Sequence, residues 1–192
     1  MGRSRSFVET EAVRAARGVF WDRGYAETAV PELERATGLG RSSLYHGFGS
    51  KRGLFDAAVT SYLDEVVRPR LAPLQTTSVA PGALATYLTG LRAAMADGTT
   101  QLATHGCLLM NAATTSTVDD DALRQVVRSY RAELATAFAA GVDAARPELG
   151  DDARAQLATS CTAHVVAAMS IVRADPAAAV EFLDSALRLV RA

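Results

Sequence analysis

Between residues 8 and 23 the apolar side chains Val8, Ala12, Ala15, Ala16, Val19 and Phe20 recur near the i, i+4, i+7, i+11 spacing of one helix face, which predicts an amphipathic helix. Gly24 stands where such a helix ends in left-handed backbone. Thr28 is placed to cap a second helix, and Pro31 falls in its first turn, where a missing N–H costs little. Val30, Leu33 and Ala36 form the buried side of that helix. Gly38-Leu39-Gly40 interrupts it, and a third short helix runs from Arg41 to Phe48 with Leu44 and Phe48 as inward anchors. Gly49-Ser50 closes that helix and predicts a serine cap for a long one beginning at Lys51. Three helices, the second and third joined by a tight glycine turn, make a helix-turn-helix unit.

The remaining pattern predicts helices over 51–69, 82–97, 103–115, 120–146, 152–174 and 177–191, with breaks at Pro69, Pro73, Pro81, Gly98, Pro147 and Pro176 and a loop at Thr76-Thr77-Ser78. No stretch alternates with period two and nothing repeats. The expected fold class is all-α, with about nine helices.

Composition supports this, because the chain is 49% hydrophobic with abundant Ala and only 6% aromatic, which favours helices over strands. The formal net charge of −1 hides a division. Residues 1–55 carry nine Arg/Lys against six Asp/Glu, or +3, and residues 56–192 carry eleven against fifteen, or −4. The N-terminal part is therefore the candidate for a polyanionic partner. No uncharged stretch offers about 18 consecutive apolar residues, so no membrane span is expected. The absence of a leader-like N-terminus, together with two cysteines that lack metal or disulfide spacing, leads to the expectation of a cytoplasmic protein with reduced thiols.

The stretch Phe20 to Phe55, with Gly24-Tyr25, Thr28, Gly38-Leu39, Leu44-Tyr45-His46, Phe48 and Ser50-Lys51, resembles the DNA-binding signature of TetR-family repressors. The physical reading agrees. With Leu44 and Phe48 packed inward, Arg41, Ser42, Ser43, Tyr45 and His46 face outward. Arg41 suits bidentate reading of a guanine, and Ser42 or Ser43 a base or phosphate. Tyr45 and Lys51 suit phosphates, Lys51 being helped by its own helix N-terminus. Tyr45 also suits a role as a lid on the core, and His46 is divided between phosphate side and base edge. Thr28 belongs to the same expected DNA-binding set. Arg3 and Arg5 suit either a DNA-tracking arm or a frayed end. Three positions depart from the family pattern: Gly40 replaces a capping serine, Glu34 a small residue, and Arg52-Gly53 a more helix-friendly pair.

The resemblance implies a DNA-binding domain over 1–50 and a ligand-binding and dimerisation domain over 51–192. Gly106-Cys107-Leu108-Leu109-Met110-Asn111 resembles a segment of one branch of the family, without the acid that often follows it. Candidate cavity residues at helical spacing are Tyr62 and Val66, Tyr87 and Leu91, Met110, Asn111 and Thr114, Tyr130, Leu134 and Phe138, and His164 with Met169, each with ordinary core packing as its rival. Leu157, Cys161, Val165, Ala168 and Val172, then Val180, Leu183 and Leu187, form aliphatic stripes on the last two helices. The resemblance implies that these helices join a symmetry mate as a four-helix bundle.

Cys107 beside His105 and Cys161 three residues before His164 lack a third orienting group or an oxyanion site, so no enzyme is expected, nor any metal or cofactor. The expected function is that of a homodimeric repressor of a palindromic double-stranded DNA operator, released by a largely apolar small molecule. The alternative is a helical protein-interaction module using the helix-turn-helix as an adaptor surface.

Overall fold

The computed structural model describes residues 5–113 and 121–192, with side chains from Glu9 onward. Arg3 and Thr114, and the side chains of Arg5 and Val8, lie outside the described residues. Every regular element among them is helical. Counting helices that continue or nearly continue one another as single rods, they follow the nine-helix plan.

Helix α1 (Arg5–Arg23) lies across α2 (Val30–Thr37) and α4 (Lys51–Tyr62), with α3 (Arg41–Phe48) wedged against α2 and α4. Ala12, Ala16 and Phe20 are the buried side of α1, and the Phe20 ring meets Phe55 edge-on at 5.2 Å. Ser50 caps α4 as its position predicts, accepting the Gly53 N–H at 3.0 Å. Helix α2 differs from expectation. Its cap position is Ala29, whose N–H is held instead by the Glu32 carboxylate at 2.9 Å. Thr28 is buried and donates its hydroxyl backward to the Gly24 carbonyl at 2.6 Å, an alternative use of a threonine at a helix entrance. Ala36 is exposed, because the buried edge of this two-turn helix is narrow and Leu33 fills it.

The rod that starts at Lys51 does not stop at Pro69. It widens into a π turn at Leu63–Val67, then continues as α5 (Arg68–Leu71) and a 3₁₀ turn at Ala72–Leu74. Proline has no N–H to give, and its ring collides with the carbonyl four residues back. A wider turn, in which the Arg68 N–H reaches the Leu63 carbonyl, accommodates that conflict within a continuing helix.

Helix α6 (Ala83–Ala96) leads to a rod expected over 103–115 that is broken into α7 (Gln101–His105) and α8 (Leu108–Ala113). Gly106 makes the break at φ 67, and a Cβ there would stand 2.5 Å from the Met169 carbonyl oxygen. Both facts require glycine. Helices α9 (Asp121–Ala145), α10 (Asp151–Ile171) and α11 (Pro176–Arg191) complete the chain; α10 and α11 form a hairpin, capped at its turn by Asp175, with α6 along α11 and α9 along α10.

That hairpin overturns part of the expected dimer surface. Cys161, Val165, Ala168, Val172, Leu183 and Leu187 are buried within the chain itself, where the two helices and their neighbours close on one another. Leu157 and Val180 are half-buried. A single hydrophobic core runs from Ala16 to Val190 and crosses the expected 50/51 domain boundary through α4.

Candidate DNA interface and ligand cavity

The outer surface of the N-terminal unit is set by α3. Leu44 is buried and Phe48 half-buried, which fixes the helix on its inner side and leaves Arg41, Ser42, Ser43 and His46 exposed. Tyr45 sits between these roles, half-buried, lining a small cavity with Leu33 and Leu44, and with the Arg41 guanidinium over its ring at 5.6 Å. Gly40 begins the helix without a side-chain acceptor, so the first N–H groups of α3 stay open on the surface that Arg41 to Ser43 share.

Lys51, the single lysine of the chain, is held rather than loose. Its ammonium lies 4.6 Å from the Tyr25 ring centroid and donates to the Ala26 carbonyl at 3.5 Å. Partial burial lowers its pKa from the ordinary lysine value, against the opposing charge of Glu27. Tyr25 in turn leans on Phe55, ring to ring at 4.9 Å. Its positioning of Lys51 is not visible in spacing alone. The Thr28 side chain is buried and its hydroxyl proton is engaged by Gly24, so the hydroxyl is not a free donor for a phosphate in this conformation.

Behind this surface, α1 is tied to the rest of the molecule at two places. The Trp21 indole donates to the Gly106 carbonyl at 2.8 Å and stands edge-on to Tyr62 at 4.9 Å. Arg14 and Arg17 both hold the Glu65 carboxylate on the π turn, at 2.8 and 2.9 Å, and Arg17 also donates to the Ser61 carbonyl and hydroxyl. These guanidiniums hold the Glu65 carboxyl below the usual carboxylate range. Neither Glu65 nor Trp21 was among the expected functional residues; nothing in spacing points to Glu65, and the signal that could have found Trp21 is that it is the one tryptophan of the chain.

Tyr62, Val66, Tyr87, Leu91 and Tyr130 converge on one cavity, joined by Val67, Arg70, Leu102 and Met169. Its volume is about 20 Å³. Leu134 and Phe138 belong to the core rather than to its lining, and the Phe138 ring supports Tyr87 edge-on at 5.2 Å. His164 bonds through Nδ1 with the Ser160 carbonyl of its own helix, and the Asn111 amide donates to the His105 carbonyl at 2.6 Å. Neither these two nor Met110 lines the cavity.

Cys107 lies beside the cavity, with its sulfur 3.5 Å from the Tyr62 hydroxyl. Burial pushes its thiol pKa up, and pushes Cys161 up to about 11, so neither has the thiolate character of a nucleophile. Among the described residues no three His, Cys, Asp or Glu side chains gather as a metal site, and no helix is long and apolar enough to cross a membrane.

Comparison with known proteins agrees with this architecture. The family model for bacterial regulatory proteins of the tetR family matches residues 12–58, the segment from α1 into α4. The chain is 34% identical over 133 residues to the HTH-type transcriptional repressor ComR of Escherichia coli, covering 68% of this chain and 61% of ComR. The TetR-family regulator CifR, solved as a cysteine variant with a 26-base-pair operator duplex, superposes with a TM-score of 0.76 at 29% identity, over 97% of this chain and 98% of CifR. A TetR regulator from Chloroflexus aurantiacus does so at 0.75 and 29% identity, over 98% of this chain and 96% of its own.

Proposed function

The chain belongs to the TetR family of bacterial regulators, and on that premise we propose that it is a cytoplasmic, homodimeric transcriptional repressor that a small molecule releases from its operator. The observation that carries this reading is the first turn of α3, exposed on a helix whose inner side is fixed and flanked by a held lysine. Arg41, Ser42 and Ser43 read bases in the major groove, and Tyr45, His46 and Lys51 meet phosphates. Residues 1–50 thus form the reading unit, and 51–192 the sensing and pairing unit.

Pairing uses the outward side of the last hairpin. Phe182 and Leu189, seven residues apart on α11, are the exposed large hydrophobics among the described residues. On α10 the exposed Ala155, Thr159 and Ala163 and the half-buried Val166 line a groove of about 400 Å³ against α9. Small side chains of this kind let a second helix approach closely. Two-fold pairing sets the two α3 helices roughly 34–36 Å apart, one turn of DNA. Filling the cavity favours a different spacing, because its walls include Tyr62, against which Trp21 of α1 rests, and the π turn that Arg14 and Arg17 hold.

The test is a gel-shift titration on the DNA upstream of the chain's own gene. Arg41→Ala is expected to weaken binding by roughly tenfold to a hundredfold and to relax specificity at one base position. Lys51→Ala should weaken binding evenly across sequences and reduce the salt slope by about one. Binding indifferent to both changes and to salt would rule out the repressor reading and favour the protein-interaction alternative.

A further inference from the structure

We propose that the cavity between α4, α6 and α9 takes a small hydrophobic organic acid, with its hydrocarbon part among Tyr62, Leu91 and Met169 and its carboxylate held at the rim by Arg70 and the Tyr87 hydroxyl. This rests on the reading of the cavity as a sensor site, and it specifies the chemistry of what is sensed.

The argument begins with the charges around the π turn. Asp64 pairs with Arg68. Glu65 is taken by Arg14 and Arg17. Glu133, the acid that reaches this side from α9, is shared between Arg68 at 3.5 Å and the Gln75 amide at 3.1 Å. Each nearby carboxylate therefore has its cation. Arg70 has no carboxylate among the described residues and donates only to the Val66 carbonyl of its own rod. Arg70 nonetheless lines the cavity, one turn along the rod from Val66.

Tyr87 completes the site. Its ring is fixed against Phe138, and its hydroxyl makes no hydrogen bond to the described residues, whereas the Tyr62 hydroxyl is directed at Cys107. Burial raises the Tyr87 pKa and the charge of Arg70 opposes that rise, which places the two groups in each other's field. A phenol kept protonated and a guanidinium with no carboxylate among the described residues share the lining of one small cavity, and both are donors. They match a carboxylate, which accepts charge-assisted hydrogen bonds, and they leave a neutral amide less well served. A cation would enjoy the three tyrosine faces but would meet Arg70.

At about 20 Å³ the cavity holds roughly one water, so a ring or alkyl chain must widen it. The π turn that forms one wall is a rare helical geometry that occurs as single turns inside α-helices, frequently at functional sites, and Val66 and Val67 lie within it. An acid that binds the widened form better draws the molecule toward that form.

The test uses the full chain with 1-naphthoate and octanoate as probes, each against its amide, and 1-naphthylmethylamine as the cationic control. Thermal shift and operator release are read in parallel. Each acid is expected to raise Tm and to bind at least about tenfold more tightly than its amide. Arg70→Gln, a change at an exposed side chain, should erase that preference, Arg70→Lys should retain part of it, and Tyr87→Phe should lose a smaller share. Amides or the amine binding as well as the acids, an unchanged preference in Arg70→Gln, or no Tm response to either acid would each overturn the proposal. The thermal shift needs no DNA. Acid binding without operator binding would thus remove the repressor reading alone, and operator binding indifferent to all probes would remove the sensor chemistry alone.

Discussion

Gly53 looks like a fault in the first turn of α4, since glycine is a poor helix former and the family pattern has a friendlier pair there. The structure supplies the reason: a Cβ at this position would lie 2.1 Å from the Phe48 carbonyl oxygen, which crosses over it as α3 ends. Gly53→Ala should therefore destabilise the protein by about 1–3 kcal/mol despite the better helix propensity, as overpacking does. Gly47→Ala, with open space around its Cβ position, should be neutral or stabilise by up to about 1 kcal/mol. Urea denaturation of the two variants separates clash from propensity. Glu65 gives a prediction of another kind. Its folded pKa is depressed by Arg14 and Arg17, so its contribution to stability is complete above the ordinary glutamate pKa of about 4.3 and is lost as pH falls through the lower folded value. Glu65→Gln should flatten the fall of Tm between pH 7 and pH 3 relative to the parent, with little change in slope above pH 6.

At the scale of elements, local rules were the legible ones. Leu44 and Phe48 four apart, a glycine turn before them and Ser50 after them all act within a few residues, and α3 and the start of α4 follow from them. The departures had two sources, a competing local bond or a contact from far along the chain. Thr28 turned to Gly24, leaving Glu32 to hold the N–H at the α2 cap, a carboxylate that also pairs with Arg23 at 2.7 Å. The break at Gly106 is imposed by a carbonyl on α10, sixty-three residues away in the chain, and the π turn lets a proline stand inside a rod. Gly106 also receives the Trp21 indole, the buried hydrogen bond between α1 and the α7–α8 corner. Trp21→Phe keeps a ring against Tyr62 but strands that carbonyl. A loss of about 1–3 kcal/mol is expected by thermal or chemical denaturation. A loss no larger than that of a surface substitution would mean that water replaces the indole.

For the whole molecule, the stripes that the sequence pattern offered for pairing are the sides that the last two helices bury inside their own chain. An aliphatic stripe such as Cys161, Val165, Ala168 and Val172 is what a helix buries in its own chain, and the outer side carries smaller and fewer apolar groups that no periodicity singles out. The cavity was partly legible for the converse reason. Tyr62 with Val66 and Tyr87 with Leu91 are turn-spaced pairs that face one another, whereas Arg70 reads as one more solvated arginine until its neighbours' pairings are known. Phe182→Glu with Leu189→Glu is expected to convert the dimer to a folded monomer in sedimentation, with operator affinity falling as the second recognition helix is lost. Cys161→Ser should lower Tm and leave assembly intact. A double variant that still sediments as a dimer would move the interface elsewhere.

The hold of Tyr25 on Lys51 has a practical consequence. The chain contains one ε-amine, and it stands where a phosphate is expected. An acylating reagent therefore labels a single side chain apart from the chain terminus, and its rate on bare protein and on protein bound to operator reads occupancy of the interface one residue at a time. Enzymatic acetylation of that amine would act as a mark with one possible address, neutralising the charge at the point where the long α4 rod begins.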